Sequence, residues 1–260
     1  INEAQELVES GIKEITLLGQ NVNSYGRDLK IDNKSRPYFA QLLHKLNEIE
    51  GLERIRFTSP HPKDFKEETI NAVKSLSKVC NQIHVPLQSG SSDILSKMHR
   101  GYNKEKFIQK VDMIRDIIPD VSLTTDIIVG FPGETDEDFQ KTIDVCNVIK
   151  YSQAYSFKYS PRNGTPSFEM SDVPDDVKSK RLYKLQEIIN SYQQKFQQNL
   201  IGSIQEVLIE KTGKLKDQFI GRTPFMNPVV IKSKKNLIGE IIPVKIYATN
   251  GLSLLGKNVI

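Results

Sequence analysis

The 260-residue chain has only two cysteines, Cys80 and Cys146. Neither has a companion cysteine or a nearby histidine pair, so the spacing of a disulfide framework or a zinc site is missing. Each lies in an apolar pattern that reads as helical, which makes them buried core thiols of a protein kept in a reducing cytoplasm. No apolar run approaches the ~20 residues needed to cross a bilayer, so no membrane partner is expected. The polar start, Ile1-Asn2-Glu3-Ala4-Gln5-Glu6, reads as helix and not as a signal peptide. A start on Ile instead of Met reads as a trimmed or partial chain. A Ser-His-Asp set, a P-loop and an HExxH motif are all missing, so hydrolase and nucleotide-triphosphatase readings lack support. With 38% hydrophobic and 26% charged residues, the composition is that of a globular protein with room for one large and one small domain.

The net charge of +4 is unevenly spread. From Ser203 onward nine Lys/Arg face four Asp/Glu, a local excess of +5, and the preceding 202 residues carry −1. A basic patch on a small C-terminal unit points to a polyanion partner; a solvated Lys-rich face is the plainer alternative.

Five apolar runs each end in a short polar signature. Thr16–Leu18 leads to Gly19-Gln20-Asn21-Val22-Asn23, Arg54–Phe57 to Thr58-Ser59-Pro60-His61-Pro62, and Ile83–Leu87 to Gln88-Ser89-Gly90-Ser91. Asp126–Val129 leads to Gly130-Phe131-Pro132-Gly133-Glu134-Thr135, and Tyr155–Tyr159 to Ser160-Pro161-Arg162-Asn163-Gly164-Thr165-Pro166. Glycines and polar groups gathered at the carboxyl ends of successive strands are how a (β/α) barrel builds an active site. Helical stripes separate these strands: residues 3–9, 38–49, 67–79, 104–118 and 135–149, the last opened by a Thr135/Asp138 capping box. Strand–helix alternation implies parallel βαβ units, and five strands are too few for a closed eight-stranded barrel. A long polar helix over 175–201 follows. Beyond Gly202 come short β-like runs at 205–209, 219–222, 229–232, 241–246 and 253–255. They predict a small five-stranded antiparallel barrel. The fold class is therefore α/β, a partial (β/α) barrel over 1–202, followed by a small all-β barrel over 203–260.

Several groups could carry chemistry. Gly19-Gln20-Asn21 offers close backbone approach and amides for a polar ligand, or simply an Asn-stabilised turn. Gln88-Ser89-Gly90-Ser91-Ser92 sets hydroxyls and amides at a helix start, suited to a carboxylate or hydroxyl, and also to ordinary N-capping. The glycines of Gly130–Gly133 admit a flat ring or shape a turn. His61, between two prolines, reads as structural or substrate-contacting, and His84, inside a strand, as a satisfied core histidine. Arg100, Lys158 and Arg162 are cations able to face an anion from the rim, or to form exposed salt bridges.

Together these motifs closely resemble the radical S-adenosylmethionine methylthiotransferases, above all the MiaB-type tRNA methylthiotransferase branch. The matching residues are Leu17–Asn23, His84–Ser91, Thr125–Thr135 and Tyr159–Pro166, and Gly221-Arg222-Thr223 looks like the family's RNA-binding TRAM domain. The resemblance implies methylthiolation of an isopentenylated adenosine beside the anticodon. One S-adenosylmethionine gives the methyl group and another, cleaved reductively, gives a radical. Iron–sulfur clusters and an external electron donor complete the chemistry. By position, Gly19, Gln20 and Asn21 would meet the methionine portion. Gln88 and Ser89 would meet the ribose or carboxylate, and Ile128, Val129 and Gly130 the adenine. Arg100, Lys158, Arg162, Arg222, Lys232, Lys234 and Lys235 would meet tRNA, in a monomeric enzyme.

One departure is large. Each cluster takes three protein cysteines, the radical one in a CxxxCxxC loop, and neither set is in this sequence. The expectation is the downstream part of a larger enzyme, with the strand at Ile15–Leu18 left as an unpaired edge. Two alternatives stand beside it: a non-catalytic RNA-binding scaffold, and a methylthiotransferase acting on threonylcarbamoyl-adenosine.

Overall fold

In the first four strands, the apolar residues that form or pack against the core fall at every second position. Ile15 and Leu17, Ile55 and Phe57, Ile83, Leu123 and Ile127 all join one large core, which turns the alternate positions to the opposite face. The computed structural model describes residues 1–27 and 38–259. After α1 (Asn2–Glu9), strand β1 (Glu14–Leu17) pairs in parallel with β2 (Arg54–Phe57), with α2 (Tyr38–Asn47) between them in the chain. Helix α3 (Glu67–Ser75) leads to β3 (Gln82–His84). Two helices, the short α4 (Ser92–Lys97) and the longer α5 (Lys104–Ile117), follow before β4 (Ser122–Val129); α6 (Asp136–Ile149) precedes β5 (Gln153–Lys158). Strands β3, β4 and β5 run parallel in that order, and an Ile55–Val79 bridge sets the segment just ahead of β3 beside β2. The helices cover the apolar face, giving the open, partial barrel that the strand–helix alternation implies.

Helix α3 ends four residues before its apolar stripe does. The Ile55 amide donates to the Lys78 carbonyl, and the Cys80 amide to the Ile55 carbonyl. This pulls 78–80 into the sheet beside β2, so Cys80 lies on extended chain and not on a helix. Strand β3 is likewise shorter than its apolar run, since Pro86 has no N–H to give. Gln88 rejoins the sheet, donating to the Asp126 carbonyl and accepting from the Ile128 amide.

Helix α7 (Asp175–Asn199) runs along β5 and delivers the chain to the second body. There β6 (Ile204–Thr212), β7 (Gln218–Arg222), β8 (Pro228–Lys232), β9 (Ile241–Asn250) and β10 (Ser253–Asn258) close in the order β10-β8-β7-β6-β9. Four of the pairings are antiparallel, but β10 meets β8 in parallel, a departure from the wholly antiparallel barrel expected. Val207, Ile209, Val229, Ile231, Val244 and Ile246 fill its interior.

Among the described residues β1 pairs only with β2. Beside its free edge runs an apolar groove of about 450 Å³ lined by Ala4, Leu7, Ile15, Leu17 and Leu18, and Leu18 is 78% exposed. Among the described residues no helix is long and apolar enough to cross a membrane.

Candidate functional site

The face of the sheet turned away from the helices is polar. Register sets Thr16 beside Arg56, His84 beside Thr124, Asp126 beside Tyr155 and Ile128 beside Phe157. Thr16, Arg56, Thr58, His84, Asp126 and Tyr155 line a cavity of about 250 Å³. His84 lies between two partners, its Nδ1 3.0 Å from Thr124 Oγ1 and its Nε2 3.2 Å from Asp126 Oδ2. It is satisfied, as expected, but it is not a core residue: Ile83 and Val85 take the core and His84 faces the cavity. Tyr155 and Phe157 are about half exposed, at 49% and 53%, with their rings on this same face.

The loop after β1 is held by the loop after β2. Asn21 Nδ2 donates to Asp64 (2.8 Å) and Ser24 Oγ to the same carboxylate (2.8 Å). Asn23 clasps the His61 backbone, accepting from its N–H at 2.8 Å and donating to its carbonyl at 3.1 Å. Burial alone would raise the Asp64 carboxyl, but the bonds from Asn21 and Ser24 and the nearby Lys63 and Arg27 hold it below the usual range. Gly19 and Gln20 stay exposed at this rim. The His61 ring stacks edge-on against Tyr102. Its protonation is disfavoured by burial, then by Lys63 and Arg100.

The Gln88–Ser92 signature is largely consumed within the protein. The Gly90 amide donates to Thr142 Oγ1 (2.9 Å), Ser89 Oγ lies 3.5 Å from that hydroxyl, and Ser91 Oγ donates to Asp138 (2.7 Å). A Cβ on Gly90 would sit 2.4 Å from Thr142 Cα, so this glycine is a notch against α6. Ser89 is fully buried and faces that helix, because its hydroxyl has partners there; it does not present itself to the cavity. Val129 also faces the helix layer, in the main core, and only Ile128 of the proposed adenine trio lies on the cavity face. Gly130 is covered by the Lys178 side chain, and its amide donates to Glu134 Oε2 at 2.7 Å. Arg181 then bonds Glu134 at 2.8 Å and Asp136 at 2.7 Å. Burial raises the Glu134 carboxyl despite the Gly130 amide and Arg181. The Gly130–Glu134 turn is thus bolted to α7.

The cations are scattered. Lys158 pairs with Asp175 at 2.7 Å and Arg222 with Glu210 at 3.1 Å, while Arg162, Lys232, Lys234 and Lys235 are exposed. Arg100 stands beside His61. Thr16, Arg56, Tyr155 and Phe157 lie outside the site residues that the motifs suggest, and Thr58, His84 and Asp126, which the motifs contain, have no cavity-lining role among those suggested. Their signal is the polar phase of each strand, alternate to its apolar phase.

Residues 1–146 match the family model of the radical SAM superfamily, and residues 198–259 match that of the TRAM domain. The chain belongs to the radical SAM superfamily. Among curated proteins it is 47% identical over 259 residues to a tRNA-2-methylthio-N(6)-dimethylallyladenosine synthase of Clostridium botulinum, covering 99% of this chain and 57% of that one. The protein of the same name from Clostridium tetani is 48% identical, with 99% and 56% covered. The chain thus spans little more than half the length of these relatives. A crystal structure of methylornithine synthase aligns over 73% of this chain and 53% of its own, with 14% identity and a TM-score of 0.49.

S-adenosylmethionine, the small molecule that this superfamily implies, fits the concave face by its donor set. The Thr16 and Thr58 hydroxyls and the Asp126 carboxylate suit a ribose diol and an ammonium group, and Ile128 offers an apolar surface to a ring. An iron–sulfur cluster does not fit the thiols present. Cys80 lies beside β2 and Cys146 on α6, and both are buried. Burial pushes both thiols up, Cys146 to about 12, whereas clusters take thiolates. Among the described residues no three Cys, His, Asp or Glu converge on a metal site.

Proposed function

We propose that this chain supplies the S-adenosylmethionine-facing and RNA-facing parts of a methylthiotransferase acting on dimethylallyl-adenosine in tRNA. The observation that carries this reading is the near-half identity along 99% of the chain with synthases of that product. The polar, aromatic-edged concave face supports it independently. When bound, S-adenosylmethionine supplies a methyl group and, on one-electron cleavage, a radical able to remove hydrogen.

The chain's own residues bind and orient. Gly19, Gln20 and Asn21 at the end of β1, with the Gln88 backbone at the end of β3, frame the methionine portion. Asp126, oriented by His84 at 3.2 Å, accepts hydrogen bonds from the ammonium or ribose. Ile128 lies against the adenine. Ser89, Val129 and Gly130 shape the site from behind. Tyr155 and Phe157 offer ring faces on which the target base stacks, a contact worth about 1–3 kcal/mol per base. Arg100, Lys158 and Arg162 at the rim, and Arg222, Lys232, Lys234 and Lys235 on the small barrel, meet tRNA phosphates. The division between the two units falls at residues 202 and 203, supported by the end of α7 at Asn199 and the start of β6 at Ile204. The clusters are held by residues other than those of this chain, an external donor supplies electrons, and the enzyme works as a cytoplasmic monomer.

The test is calorimetric titration of the chain, with S-adenosylmethionine present, against three anticodon stem-loops. They carry adenosine, dimethylallyl-adenosine or threonylcarbamoyl-adenosine at the target position. Preference for the dimethylallyl form supports the proposal. Preference for the threonylcarbamoyl form assigns the other substrate, and indifference to the modification leaves an RNA-binding scaffold.

A further inference from the structure

The small barrel touches the partial barrel through groups that an RNA-binding tail does not need. Arg54 and Arg56 sit on the concave face of β2, at the amino-terminal end of the sheet, each 5% exposed. Arg56 donates to the carbonyls of Pro224 (2.7 Å) and Thr223 (3.0 Å), and Arg54 to those of Arg222 (3.2 Å) and Glu206. Glu14 on β1 balances both guanidiniums, 3.0 Å from Arg56 Nε and 3.5 Å from Arg54 Nη1. Planar guanidinium forks hold pairs of oxygens in fixed geometry, so four carbonyls of the small barrel are clamped from inside the large one.

The clamped loop, residues 223–227, is itself tied by internal hydrogen bonds. The buried Thr223 hydroxyl accepts from the amides of Phe225 and Asn227, both at 3.2 Å, and the Thr223 amide donates to the Asn227 carbonyl at 3.1 Å. Phe225 packs edge-on against Phe196 of α7. The loop carries Met226 at φ +63°, and Met226 lines the same cavity as His84, Asp126 and Tyr155.

We propose that the TRAM barrel has a second function: its 223–227 loop is the floor of the cavity, with Met226 as the floor's inner surface. The two bodies then form one cooperative unit, and the RNA-binding strands stand at a fixed distance from the concave face. This packing belongs to the chain itself and is the same whichever substrate the site takes.

Hydrogen exchange on the 260-residue chain tests it. In the wild type, amides of 223–227 exchange as slowly as those of β2, and far more slowly than the exposed 233–239 turn. Arg56→Met, which keeps the stem and removes the donors, accelerates β2 and 223–227 together by at least about ten-fold, while β9 stays protected. Loop amides in the wild type exchanging at the rate of the 233–239 turn would overturn the proposal without any variant. So would an Arg56→Met chain in which only one of the two segments loses protection.

Discussion

Lys178 lies across Gly130: a Cβ at position 130 would sit 2.4 Å from Lys178 Cγ, and the glycine holds φ +73°. Gly130→Ala therefore meets both a backbone penalty of about 1–2 kcal/mol and a steric one. The expected result is a fall in melting temperature of roughly 5 °C or more, read by circular dichroism. Lys178→Ala in the same background should recover part of it.

Asp138 ties two helix starts together, closing the Thr135 capping box of α6 and accepting from Ser91, the N-cap of α4. Burial would raise its carboxyl. The bonds from Ser91 and Thr135, with Lys141 nearby, overcome this and push it down to about 2. A depressed carboxyl stabilises the fold fully above its unfolded value of about 3.9 and loses that contribution as pH falls through about 2. Asp138→Asn should cost about 1–2 kcal/mol near neutrality. Urea unfolding from pH 7 down to pH 3 should show the gap to wild type narrowing below pH 4. A gap that widens on acidification would contradict the assignment.

The capping box, the five parallel strands and the small barrel were legible because each is local: a cap, a period, a turn. Helix α3 was read too long since Leu76 and Val79 continue its apolar stripe. The backbone bonds from Ile55 that stop it come from another strand. The concave face was readable in principle, because Thr16, Arg56, His84 and Asp126 alternate with core residues. Ser89 and Val129 were assigned by position in a motif, and only packing against α6 and the other helices reveals that their side chains point away from the cavity. The clamp by Arg54 and Arg56 had no sequence signal, as its acceptors are main-chain carbonyls more than 150 residues away.

The free edge of β1 carries a further consequence. A strand whose second edge has no partner among the described residues, lying beside an apolar groove, invites edge-to-edge association. The isolated chain should self-associate with rising concentration in sedimentation velocity. Leu18→Lys should reduce this while leaving the circular dichroism spectrum unchanged. A monodisperse wild-type sample with a cooperative, high-temperature melt would refute the expectation.

Phosphate contacts and base contacts separate by salt. Replacing Lys232, Lys234 and Lys235 with Gln should weaken stem-loop binding for every sequence and lower the magnitude of the salt slope by about 2–3. Tyr155→Leu should weaken it by roughly 5- to 100-fold with the slope unchanged. Fluorescence anisotropy at several salt concentrations distinguishes the two patterns.

Nucleoside mass spectrometry of bulk tRNA reads the central claim directly, from source cells in which the gene encoding this chain has been deleted. Loss of 2-methylthio-N6-dimethylallyl-adenosine, with accumulation of its dimethylallyl precursor, is the predicted result. An undiminished level of the methylthiolated nucleoside would contradict it.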